Sequence, residues 1–156
     1  MLSFVITACN TNPKKSGSEN TNNSPIEAKE EPKMKDLTFT LAKNYFVKNT
    51  VKKLDDPKIE TLEKFNEIFG MAATMSKDGK PTAIDFSKQF VIAVVKPETD
   101  FETSLTPIRI QKYKGDEIEL TYKTIVGPKQ TFTTRPNMIV IVNKSENGKV
   151  VLRELN

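Results

Sequence analysis

The acids Asp85, Glu98, Asp100 and Glu102 fall near the ends of expected loops, and one carboxylic acid beside one carboxylate is the minimum that glycoside hydrolysis requires. Ser87-Lys88 has the composition of a Ser–Lys dyad. Adjacent residues on an extended segment point to opposite faces, however, so these two are not expected to exchange a proton. Glu98, Asp100 and Glu102 within one stretch read more simply as a solvated face. The inventory narrows the chemistry further: with no His, no Trp and a single Cys, the chain excludes His-based triads, Cys–His nucleophiles, metal centres built on His or paired Cys, and internal disulfides. No catalytic residue is assigned, no metal or cofactor is implied, and a non-enzyme is the expectation. A small hydrolase is the last of the readings kept from these acids.

The one Cys, Cys9, directly follows the apolar run 2–8, which ends in the small residues Thr7 and Ala8. Ile6-Thr7-Ala8-Cys9 resembles a bacterial lipobox. The resemblance implies cleavage after Ala8 and a lipidated Cys9, with diacylglycerol on its sulfur and an acyl chain of the palmitate class on its new amine. A complete signal carries a basic start and an apolar stretch of roughly 7 to 15 residues. Here eight residues precede the Cys and none is basic, so residues 1–8 are expected to be the tail of a longer signal.

Residues 9–36 have the composition of a tether. Between Asn10 and Asp36 the hydrophobic residues are Ile26, Ala28 and Met34, set among Asn, Ser, Thr, Lys, Glu and Pro, too few to pack a core. Acyl-Cys, polar leash and folded domain is the order an anchored lipoprotein needs, since more than one acyl chain makes anchorage stable. Asn10 in place of Asp after the Cys resembles the sorting pattern for export to the outer membrane. No acidic run follows the Cys, and the periplasmic face of the bacterial cell envelope is expected.

Residues 37–156 carry most of the apolar residues and the whole net charge of +4, and are expected to form a single β-rich domain. Their Lys residues are scattered among Glu and Asp without an Arg-rich stripe or interleaved aromatics, which argues against nucleic acid as partner. Residues 37–41 alternate as a half-buried strand, and 44–54 fit neither period well and are expected to be irregular or a second short strand. Asp56 as cap, Pro57 at the first helical position and Gly70 beyond the end predict one helix over about 57–69, burying Ile59, Leu62, Phe65 and Phe69. Residues 89–95 are continuously apolar, as in a central strand covered on both faces. Stretches 106–112 and 117–126 alternate around a Gly115-Asp116 hairpin turn; 130–134 is expected to pair with 138–143, and Asn147-Gly148 to turn a hairpin into 149–155. The fold class expected is α+β, mainly antiparallel β: a sandwich or open barrel of six to seven strands with one helix.

The blocks 65–70 (FNEIFG), 84–94 (IDFSKQFVIAV) and 130–136 (QTFTTRP) together resemble small lipoproteins of Bacteroidetes and, more distantly, the C-terminal domain found in the B-type subunits of a protease complex. The likeness spans roughly residues 59–155 and implies a chagasin-like β-sandwich directed at a protease. Where that family carries a Pro-Thr-Gly-Gly-type loop after the buried strand, this chain has Lys96-Pro97-Glu98-Thr99, keeping Pro and Thr and lacking both glycines.

Two expected loops carry the side chains that binding surfaces favour. Residues 96–103 hold Phe101 among acids, and 127–136 hold Pro128, Phe132, Arg135 and Pro136, so Phe101, Phe132 and Arg135 are the candidate binding residues. The competing expectation is that Phe101 tucks under its own loop and Arg135 pairs with Glu98 or Asp100. The reading as a whole is a monomeric, lipid-anchored envelope lipoprotein with a non-catalytic binding or accessory domain. A protease inhibitor or a component of a protease complex is the alternative, and the partners expected are the membrane, through the anchor, and an envelope protein or protease.

Overall fold

A computed structural model describes residues 34–72, 79–113 and 115–155; Ala8 and Cys9 lie outside them. In chain order come β1 (Lys35–Asp36), β2 (Thr40–Ala42), β3 (Tyr45–Val47), β4 (Lys58–Ile59), α1 (Leu62–Ile68), β5 (Phe69–Met71), β6 (Gln89–Val95), β7 (Thr99–Lys112), β8 (Glu117–Thr134) and β9 (Asn137–Asn143). A 3-10 turn, Lys144–Glu146, leads into β10 (Lys149–Leu155). One four-stranded sheet has the order β2-β9-β6-β4, a second the order β1-β7-β8-β10, and β3 pairs with β5 as a separate ribbon. The fold is α+β and mostly antiparallel, sandwich-like rather than a closed barrel, with one α-helix among the described residues.

The apolar run of β6 is explained by its place in the middle layer. Its alternate residues Phe90, Ile92 and Val94 join the core shared with the second sheet, while Val91 and Ala93 join the core beneath α1 and the β3–β5 ribbon. Opposite them on β9, Met138, Val140 and Val142 face the first core and Ile139 and Ile141 the second. A strand buried on both sides has no polar face to show, which is why the alternation disappears.

Several expected boundaries shift because long-range pairing outweighs local signals. The helix begins five residues later than its Asp-Pro signal suggests. Lys58–Ile59 pairs with Ile92 and Val91, Asp56 accepts the Lys58 N–H at 2.8 Å, and Thr61 is the actual cap, its hydroxyl accepting the Lys64 N–H at 3.2 Å. Phe65 and Phe69 are buried as expected and Ile59 is buried from a strand; Ile68 takes the inward place assigned to Leu62, which is exposed. Gly70 does not end the helix as a left-handed cap but lies in β5 under the ring of Phe46. The expected first strand, 37–41, divides: Lys35 and Asp36 pair with Lys112 and Gln111, so the sheet starts before residue 37, and Thr40–Ala42 pairs with β9 in the other sheet.

The Gly115-Asp116 turn stands as expected, with φ of +94° and +60° in the left-handed region that a tight hairpin of this hand requires. The pairing of 130–134 with 138–143 does not occur. Both neighbours of β9 are taken by β6 and β2, and 130–134 completes β8 against β7. Nor does Asn147-Gly148 close a hairpin. The 3-10 turn carries the chain across to the other sheet, where β10 runs parallel to β8 from Lys149↔Glu117 to Leu155↔Lys123 and adds Val150 and Leu152 to the first core.

Candidate functional site

The two expected loops are instead the two strands of one ribbon. β10 stops opposite Lys123, and beyond that point, among the described residues, β7 and β8 pair with each other alone, through Thr106↔Lys123, Thr103↔Val126 and Phe101↔Lys129 to Thr99↔Thr134. No residue is buried over 96–109 or 123–135. Of the large apolar side chains exposed among the described residues, Phe101, Ile108, Ile125, Val126 and Phe132 all belong to β7 and β8, with Val126 at 63% and Phe132 at 58% the most open of the five.

Neighbours along a strand point to opposite faces and cross-strand partners share one. Val126 opposite Thr103 therefore continues the core-ward face on which Thr124 and the partly buried Leu105 lie, and Ile125 opposite Ser104 lies on the other. The ribbon is apolar on both faces. Its open edges are less inviting: Pro107 on β7 and Pro128 on β8 lack the N–H that an added strand would need, and Lys129 places a charge beside Pro128. Contact through the faces, not strand addition at the edges, is what this geometry offers. A Cβ at Gly127 would press only on the exposed Glu102 side chain, 3.1 Å from its carboxylate oxygen.

Arg135 is not a free donor. Its Nη2 sits 2.6 Å from Glu98 Oε1, its Nη1 donates to the Val51 carbonyl, and its side chain is 15% exposed, so it fastens the root of the ribbon to the segment before β4. The competing expectation of a pairing with Glu98 is what the geometry shows. Phe101 behaves in the opposite way. Its N–H donates to Thr99 Oγ1 at 3.1 Å and its carbonyl accepts the Thr103 hydroxyl at 3.1 Å, while its ring stays outside the core. Ile125 and Val126 were missed by sequence reasoning. The available signal was that two successive β-branched residues on an alternating strand cannot both point inward.

A polar cluster marks the inner end of the ribbon. Glu154 of β10 accepts from Lys96, from the Tyr122 hydroxyl at 3.1 Å and from Thr124, while the Lys96 ammonium lies 5.5 Å from the Tyr122 ring centre. The hydrogen bond from Lys96, followed by that from Thr124, holds the Glu154 carboxyl below its ordinary range. Burial works against the charged form of Lys96, yet the Glu154 hydrogen bond and the surrounding charges outweigh it and raise its pKa. Burial raises the Tyr122 phenol.

Asp100 and Asp85 are engaged locally. Asp100 pairs with Lys129 at 3.0 Å. Asp85 accepts the side-chain and backbone donors of Ser87, which lower its pKa, and lies 3.7 Å from Lys88. Ser87 and Lys88 thus both turn to Asp85. Among the described residues there is no group of three or more Cys, Asp or Glu side chains placed to hold a metal ion, and no helix long and apolar enough to cross a membrane. Compared with known proteins, the chain matches no family model, no curated protein and no solved structure.

Proposed function

We propose that this chain is a lipid-anchored lipoprotein of the bacterial cell envelope whose β-domain is a non-catalytic binding module, working through the faces of the β7–β8 ribbon. The observation that carries the reading is the clustering of Phe101, Ile125, Val126 and Phe132 on a segment that buries nothing of its own. Aromatic and aliphatic side chains held open by strand pairing are already ordered, so association need not first freeze a loop. Anchorage rests on Ala8-Cys9 and the polar residues after it, and on the same grounds the outer membrane, periplasmic face, is the proposed location. A monomer with a protein partner in the envelope is the assembly this arrangement suits. An envelope protease is the partner class favoured second, because Pro107 and Pro128 stiffen the ribbon as an inhibitory segment requires.

The test is chemical crosslinking in intact envelopes, comparing the native chain with Phe101→Ser, Ile125→Ser and Phe132→Ser. The native chain should give a discrete crosslinked product that the variants lose at unchanged protein level. A product that survives all three substitutions would remove the ribbon from the account.

A further inference from the structure

Leu62 and Met71 are exposed away from the ribbon and line one groove of about 420 Å³ with Phe65, Ile84, Phe86 and Lys80. The volume is within the range of about 300–1,000 Å³ typical of small-molecule sites. The walls are preformed. Tyr45, also lining the groove, meets Phe65 edge-on at 5.0 Å and donates its hydroxyl to the Thr82 carbonyl at 2.7 Å, and Phe65 contacts Phe86 at 5.6 Å. Lys43 N–H donates to Thr82 Oγ1 at 2.9 Å, and the Asn44 side chain donates to the Lys80 carbonyl at 3.0 Å, so the segment carrying Lys80, Ile84 and Phe86 is held against the chain between β2 and β3.

Among the described residues of the lining Lys80 is the charged one, and its ammonium makes no ion pair with a described residue. We propose that the groove binds a small amphiphilic acid, an alkyl chain ended by a single carboxylate. The chain lies on Phe65, Ile84 and Phe86, and the carboxylate lies at Lys80. Leu62 and Met71 suit an alkyl chain because unbranched and γ-branched side chains adjust to a flexible ligand without demanding one ring plane. Removing a chain of this kind from water supplies the affinity, and the lysine supplies the preference for an anion. Leu62 occupies an apolar position of α1 that the fold leaves outside both cores, and this site gives it a role. The inference is independent of the ribbon.

Decanoate, below its micelle-forming concentration, is the probe, read by methyl NMR of the full chain. Saturable shifts should appear at Leu62, Met71 and Ile84. Decyltrimethylammonium should bind at least about fivefold more weakly, and Lys80→Gln should weaken decanoate by about the same factor. Leu62→Glu, at an exposed position, should abolish decanoate binding without lowering the unfolding midpoint. The proposal is overturned if those methyls do not shift, if the ammonium and decanoate bind equally, or if the shifts fall on Ile125 and Val126.

Discussion

Arg135 and Glu98 meet at 2.6 Å where the β6–β9 pair of the middle sheet passes into the β7–β8 ribbon, and the same guanidinium reaches the Val51 carbonyl. One side chain thereby ties three segments at the root of the ribbon. Arg135→Ala leaves a part-buried carbonyl without its donor and should lower the unfolding free energy by about 1–2 kcal/mol, measured by urea denaturation. Glu98→Gln keeps an acceptor for the guanidinium and should lower it less. Unchanged stability in Arg135→Ala would return that residue to the binding surface.

Phe101 should behave in the reverse manner. Phe101→Ala and Phe132→Ala remove exposed rings, so each should shift stability by no more than about 0.5 kcal/mol while weakening partner crosslinking. A drop in melting temperature of several degrees for both would make them supports of the fold.

Gly148 and Gly70 separate two kinds of crowding. A Cβ at Gly148 would lie 2.2 Å from the Asp116 carbonyl oxygen, part of the backbone that receives Lys149 N–H at 2.8 Å, so Gly148→Ala should destabilise by about 1–3 kcal/mol. At Gly70 the obstacle is the ring of Phe46, which is itself about half exposed and can swing outward. Gly70→Ala should therefore lose less than Gly148→Ala in parallel denaturation curves, and the opposite order would contradict the close approach of β10 to the Gly115-Asp116 turn.

Glu154 gives the domain an acid-side dependence. Its folded pKa lies below the ordinary value of 4.5, chiefly through the Lys96 hydrogen bond, so its contribution is complete above that value and disappears as pH falls through the folded one. Glu154→Gln should be less stable than the native chain at neutral pH, and the gap should close on acidification. Urea midpoints taken between about pH 7 and pH 3 read this directly; a gap that stays constant with pH would remove the carboxylate from the effect.

What could be read from the residues was whatever local pattern decides. The unbroken apolar run of β6 implied two covered faces, and Gly115-Asp116 implied a tight turn. What could not be read was the choice among partners. The 147–148 pair looks like a hairpin turn, but β9 already has two neighbours and β10 satisfies its backbone in the opposite sheet. Asp56-Pro57 looks like a helix start, but Lys58–Ile59 pairs with β6, and Ile59 is buried there. The binding candidates were half legible for the same reason. Phe101 and Phe132 stood out as aromatics in polar surroundings, whereas Ile125 and Val126 became notable only once β10 was seen to end at Lys123.

Anchorage at Cys9 is the claim on which location and function both depend, and metabolic labelling with palmitate tests it most directly. Produced from its native reading frame in its own host, the chain should incorporate label and sediment with membranes. Cys9→Ser should abolish the label and release the domain to the soluble fraction. Label retained in Cys9→Ser, or a native chain that is unlabelled and soluble, would contradict the account.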